Sequence, residues 1–178
     1  MKRKILITLI VCAVLLLGCE PAVSAPDNLV EYAVEVKNDL LQPQGLEFGM
    51  TEEEVCKIKG LQISDLREVA ANNTTISRII TIEGLSNQVS ETFSFYDGKL
   101  VRVSYAAYVE EAEFEERMAL VMAQAEKLFA EAMKLNDRGW VDSQGTGVGI
   151  SYASTDEDRA SETITLDITM SKSVLNGK

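Results

Sequence analysis

The stretch VSETFSFYDGKLVRVSY, residues 89–105, decides the fold. Two runs that alternate apolar and polar residues flank Asp97-Gly98, a dipeptide suited to the left-handed backbone of a tight hairpin turn. Two registers satisfy that turn. A two-residue loop sets Phe93 across from Arg102 and mixes the faces. A three-residue loop of Tyr96, Asp97 and Gly98, with the glycine left-handed in a bulge, sets Phe93 opposite Val101 and Val89 opposite Tyr105. This second register gathers Phe95 and Val103 on the same side, which is then apolar apart from Glu91 and Lys99. Because a slip of one residue would turn the apolar set to solvent, the three-residue loop is the one expected.

Upstream of the hairpin, the β-branched run from Ile76 to Glu83 reads as a further strand, turned around by Gly84 to Asn87. Residues 61–75 carry weaker signals, with Ser64 placed to cap a short helix and Asn72-Asn73 as a break. Before them, Thr51 and Glu54 form a capping box and Met50 and Val55 a hydrophobic staple, while Lys57, Lys59 and Gly60 mark the other end. A helix over 52–59 follows. Leu46 and Phe48 alternate around Glu47 and suggest a brief strand leading into it.

Downstream, Phe114, Met118, Val121, Ala125, Leu128, Ala132 and Leu135 recur at steps of four and three between Glu110 and Asn136. The start is rich in glutamate, Lys134 and Arg138 lie near the end, and Gly139 supplies a stop, so the spacing predicts one long amphipathic helix. Gly145, Gly147 and Gly149 lack the Lys-Ser/Thr and the helix of a nucleotide loop. Val148, Ile150 and Tyr152 alternate instead, as do Ile164, Leu166, Ile168 and Met170, giving two strands about a polar turn at Asp156 to Arg159. Short turns imply antiparallel pairing. The expected class is α+β: an antiparallel sheet of about five strands, ordered βββαββ after the capped helix, with the long helix on one face. No internal repeat stands out, and residues 45–172 are expected to form one domain with a tail at 173–178.

The N-terminus carries an address. Lys2, Arg3 and Lys4 precede the uncharged, almost wholly apolar run Ile5 to Leu17, the layout of a signal peptide over residues 1–18. That run is 13 residues long, short of the about 20 that a spanning helix needs. Leu16, Leu17, Gly18 and Cys19 resemble the lipobox of bacterial lipoproteins. The resemblance implies cleavage before Cys19 and acylation of its thiol, anchoring the chain to a membrane surface. Two or more acyl chains hold stably where one holds marginally. Val23, Ser24 and Ala25 offer an ordinary cleavage site, but Pro26 follows and disfavours it. Glu20 after the cysteine implies, in a host with two membranes, the outer membrane facing the periplasm. Residues 19–44 hold all three prolines and read as a tether, partly helical on the spacing of Leu29, Ala33, Val36 and Leu40, although Tyr32, Val34 and Val36 also alternate as a strand would.

Composition narrows the function. The chain has 17 basic and 28 acidic residues; loss of Lys2, Arg3 and Lys4 leaves 14 against 28, or −14. Such a surface repels nucleic acid and anionic headgroups, so the acyl chains are left to attach the chain and any charged partner is expected to be basic. No histidine is present, which removes the usual general base and the commonest metal ligand. Cys56 is the only cysteine between Cys19 and the C-terminus, so no internal disulfide forms and Cys56 reads as a small apolar residue. Asp156, Glu157, Asp158 and Glu162 do not follow a calcium loop and read as a solvated turn. Neither a cofactor nor a resident metal is expected, and no pair of acids marks a glycosidase.

A second resemblance covers about fifty residues. Gly49, Met50, Thr51 and Val55, followed by Phe95, Asp97, Gly98 and Leu100, are similar to the small lipoprotein of the outer-membrane β-barrel assembly machinery, where a Gly-Met-Thr-led helix precedes a hairpin. The long helix and the last two strands depart from that pattern, and Leu61 follows Gly60 where that family has proline. The resemblance implies a shared fold element. The resulting expectation is an anchored binding or scaffold module of the cell envelope with a protein partner. An inhibitor of a basic secreted hydrolase such as lysozyme is the alternative, and a carboxylate-based hydrolase ranks third.

Overall fold

In the computed structural model, which describes residues 29–82, 86–154 and 161–170, ten strands and three helices follow one another. Helix α1 (Leu29–Ala33) leads into β1 (Val34–Lys37) and β2 (Leu40–Pro43). Helix α2 (Glu52–Lys59) precedes β3 (Arg67–Ala70), β4 (Asn73–Ile82), β5 (Ser86–Tyr96) and β6 (Lys99–Glu110). Helix α3 (Phe114–Leu128) precedes β7 (Met133–Asn136), β8 (Gly139–Val141), β9 (Thr146–Ser154) and β10 (Ser161–Met170). The main sheet runs β3-β4-β5-β6-β10-β9-β8-β7 with antiparallel neighbours, and β1 with β2 forms a separate hairpin.

The molecule is thus mixed α and β on an antiparallel sheet, but with eight strands in that sheet rather than about five, and with three helices. The extra strands come from two hairpins whose turns read otherwise in sequence. Asn72, at φ 62°, closes β3 onto β4, so β4 begins at Asn73 rather than Ile76. At the other edge the periodicity beyond Leu128 is not helical. Phe129 leaves the helix to bury its ring against Trp140, with centroids 5.3 Å apart, and the Asn136 side chain accepts from the Arg138 backbone to make a turn. Leu135 consequently lies exposed on β7, as does Met133, instead of extending the helical stripe that ran through Ala132 to Leu135.

Two copies of one plan emerge from this order. Each consists of a helix followed by a four-stranded meander, and the two meanders join along β6 and β10, their last strands. Both open with the same hairpin. Arg67, Glu68 and Ala70 pair with Thr75, Thr74 and Asn73, and Met133, Lys134 and Asn136 pair with Val141, Trp140 and Gly139. In each, one residue bulges out, Val69 in the first half and Leu135 in the second. The repeat is invisible in sequence because none of the nine residues 67–75 matches its counterpart in 133–141. Bulges and charged residues on these two short edge strands also guard the sheet against edge-to-edge pairing.

The deciding hairpin adopts neither expected register. Asp97 (φ 48°) and Gly98 (φ 69°) form a two-residue turn, and Val101 bulges from β6, so Phe93 faces Val103 and Val89 faces Ala107. A two-residue turn of this hand matches the strand twist, and the bulge restores the parity that the turn alone would lose. Phe93, Phe95, Val89, Val103 and Tyr105 therefore all reach the core as the alternation demanded. Lys99 pairs with Tyr96 and stays exposed, and Leu100 takes the buried position.

Helix α2 forms as its caps specify: Glu54 N–H donates to Thr51 Oγ1, Thr51 N–H donates to Glu54 Oε2, and Gly60 closes the helix at φ 66°. Leu46 and Phe48 form turns, not a strand, although Leu46 is buried. Residues 29–43, assigned to the tether by sequence, supply Leu29, Val30, Ala33, Val34 and Leu41 to the core. One face of the sheet buries these together with Met118, Val121, Ala125 and Phe129 of the α3 stretch.

Candidate functional site

Cross-strand register places side chains in rows, and neighbours in a row share a face. On the helix-covered face, Arg78, Glu91, Tyr105, Leu166 and Ile150 form one row from β4 to β9. On the opposite face the adjacent row reads Ser77, Thr92, Ser104, Asp167, Gly149 and Gly139. The rows on either side of it read Ile79, Ser90, Ala106, Thr165, Ser151, and Thr75, Ser94, Arg102, Thr169, Gly147, Val141.

No helix or strand among the described residues covers this second face. It is built mainly from short hydroxyl, methyl and glycine positions, with the larger Ile79 and Val141 among them; Arg102 and Asp167 are the only charges that β4, β5, β6, β10 and β9 bring to these three rows, and Arg67 of the edge strand β3 extends the Thr75 row. Arg102 and Asp167 neutralise each other across the seam of the two halves: Arg102 Nη2 and Nε both donate to Asp167 Oδ1, at 2.7 and 3.2 Å. Ser77 and Thr92 hydroxyls hydrogen-bond at 2.9 Å. Solvated sheet faces ordinarily carry long charged side chains; here a chain of net charge −11 keeps them off.

The helix-covered face holds a buried charge that the sequence marked only as an exception. Glu91 is wholly buried. Its carboxylate accepts from Arg78 Nε at 2.5 Å, Tyr105 Oη at 3.0 Å and Lys59 Nζ at 3.2 Å. Arg78 also donates to the Lys59 carbonyl at 2.7 Å, which ties the end of α2 to β4. The rings of Tyr32 and Tyr105 meet edge to face, joining α1 to the same cluster. Burial, then the negative charge of Glu91 and its hydrogen bond, push the Tyr105 phenol well above its usual range. With three partners satisfied, Glu91 serves packing specificity.

A second buried carboxylate lies in the β8–β9 turn. Asp142 Oδ1 accepts from the backbone N–H of Gln144 and Thr146, and Oδ2 from that of Leu41, each at 2.9 Å, so it clamps the β1–β2 hairpin to the sheet. A cavity of about 160 Å³ opens beside it. Cys56 is buried on α2, and burial followed by the charges of Glu52, Glu53 and Asp65 raises its thiol pKa, as suits a small core residue.

The residue singled out by sequence, Cys19, lies outside the described residues, as do the turn at Asp156 to Arg159 and the tail at 173–178. Gly147 and Gly149 belong to the open face on β9. No group of three or more potential ligands that could hold a metal occurs among the described residues. Neither the hydroxyl face nor the Glu91 cluster was found from sequence. Alternation did mark Glu91 as a charge within an apolar row. No family model matches the chain, and no curated protein or solved structure is significantly similar to it.

Proposed function

We propose that the protein is a lipid-anchored module of the bacterial cell envelope that docks a protein partner on the open face of its sheet. The observation carrying the reading is the near-absence of charge on that face in so acidic a chain. Ser, Thr, Ala and Gly lose little side-chain entropy when immobilised, so a flat array of them is a low-cost surface for a partner able to match its hydroxyls. Five long strands over the five residues from the Thr75 row to the Ile79 row span about 24 Å by about 17 Å, or roughly 400 Å², half of the ~800 Å² that one partner contributes to a standard interface, so the partner also reaches the rim. A second copy fits poorly, because hydroxyls against hydroxyls bury little apolar area and two acidic bodies repel. A partner with a neutral hydrogen-bonding centre and a basic rim fits both features.

A photo-crosslinking residue at Ser104, at the middle of the face, and another at Glu116, exposed on α3, test this in cells carrying the full chain. The expected result is one discrete protein adduct from Ser104 that Glu116 does not give, whose yield falls as salt rises. Equal adducts from both positions, or none from Ser104, would end the reading. The anchor has its own check: mass spectrometry of the mature N-terminus should find acylated Cys19, and a mature chain starting at Pro26 without lipid would refute it.

A further inference from the structure

Helix α1 shortens the tether that the sequence spreads over residues 19–44, because it already belongs to the core. Leu29 is wholly buried, and with Val30 and Ala33 it packs between α3 and the sheet. Only nine residues, 20–28, then separate Cys19 from the folded body. From Cys19 to Leu29 even a fully extended chain reaches about 33–36 Å at most.

The position of α1 decides where that reach can be used. The Tyr32 ring meets Tyr105 of β6 at 5.9 Å between centroids, and α1 packs on β10. In the order β3-β4-β5-β6-β10-β9-β8-β7 these are the two middle strands, with three more on either side. Each edge is therefore about 14 Å away. The helix layer adds about 10–12 Å of thickness above the sheet. To lay the open face against a bilayer, the link from Leu29 would have to run out to an edge and down past both layers, which consumes most of its length. On the helix side it has only its own layer to cross.

We infer that the domain hangs from the bilayer by its helix side with the open face of the sheet turned away from lipid, so that the partner docked there is a protein body standing clear of the membrane, an inference that rests on the acylated Cys19 and the docking face proposed above. Glu115, Glu116 and Glu126 are exposed on α3 and repel anionic headgroups, which keeps the helix layer from embedding. The short link, not adhesion, sets the orientation.

The test uses the lipidated chain purified from cells and inserted into vesicles of phosphatidylethanolamine and phosphatidylglycerol that carry a rhodamine-headgroup lipid. A donor dye is placed at Ser104→Cys on the open face or at Ala123→Cys, exposed on α3; Cys56 is 4% exposed and stays unlabelled. Each variant is first checked for an unchanged melting temperature, and Thr165→Cys, paired with Ala106 on the same face, replaces Ser104→Cys if that one unfolds. Transfer to rhodamine should be about twofold stronger from position 123 than from position 104, because a helix layer of about 10–12 Å and the sheet lie between them. Inserting about 20 Gly and Ser residues after Pro26 gives the link an r.m.s. span of about 30 Å and should bring the two transfers together. Equal transfer in the natural chain, stronger transfer from position 104, or a difference that the insertion leaves intact overturns the orientation and leaves the anchor standing. A chain that lacks acyl groups on Cys19 and does not float with the vesicles ends the anchor reading and the orientation with it. None of these measurements needs a partner, so the docking face stands or falls separately on the Ser104 adduct.

Discussion

Glu91 and Arg78 stand directly opposite each other on β5 and β4, joined at 2.5 Å with the carboxylate completely removed from solvent. Lys59 reaches the same carboxylate from the last turn of α2, so one buried anion fixes how the capped helix sits on the sheet. Losing the carboxylate costs stability because Lys59 and Arg78, whose side chains are only 12% and 28% exposed, are left without a partner, and Tyr105 Oη loses its acceptor.

Glu91→Leu is therefore expected to destabilise the chain by about 3–5 kcal/mol, read as a lower urea midpoint. The triple variant Glu91→Leu, Lys59→Met, Arg78→Leu should recover most of that loss. A single variant within about 1 kcal/mol of wild type would show that the cluster is not isolated from water as described.

Alkaline pH should act through Tyr105. Its phenol is held protonated in the folded chain by burial and by Glu91, while the unfolded chain releases the proton at about pH 10. Folded stability is thus fully present below that pH and is lost as pH climbs from there towards the raised folded value. Melting temperatures measured from pH 9 to about pH 11 should fall, and Tyr105→Phe should flatten the slope. An unchanged slope in that variant would refute the assignment.

Asp142→Ala should strip the acceptor from three backbone N–H groups at once. The expected cost is about 3 kcal/mol, with most of the opening local to the β1–β2 hairpin. Hydrogen exchange at the Leu41 amide is the measurement; protection equal to wild type would count against the clamp.

Thr51→Ala removes one half of the capping box and should cost about 1 kcal/mol. Glu54 is held below its ordinary pKa by the Thr51 backbone and hydroxyl hydrogen bonds. Its contribution is present above the unfolded pKa and lost as pH falls through the lowered one, so the acid limb of a stability profile should shallow in Thr51→Ala. The Thr51 backbone N–H survives in this variant, so the limb shallows only by the hydroxyl's share, and an identical acid limb would argue that the hydroxyl contributes nothing to Glu54.

Local chemistry made part of this molecule legible. The Thr51-Glu54 box, the last-turn lysines and Gly60 specify α2 within a dozen residues, and the structure has that helix over Glu52–Lys59. Alternation in residues 89–105 told that Val89, Phe93, Phe95, Val103 and Tyr105 go inward even though the expected loop was wrong, because the turn and the Val101 bulge together preserve parity, but next to the turn it placed Val101 and Lys99 inward where Leu100 is buried instead. Beyond Leu128 the same kind of pattern misled: steps of three and four continue through Ala132 and Leu135, yet burial of Phe129 on Trp140 and the Asn136 turn outweigh them.

Sequence alone, then, determined the features whose free energy is settled between near neighbours: the capped helix, the inward sets of the strands, the absence of histidine chemistry and the acidic charge. Tertiary structure decided the rest. Pairing β6 with β10 joins Ser104 to Asp167, and Asp142 reaches back to Leu41, contacts between residues 63 and 101 positions apart. Such contacts form only when the whole sheet and its helices close together, so no local pattern announces the doubled meander, the hydroxyl face or the cavity beside Asp142.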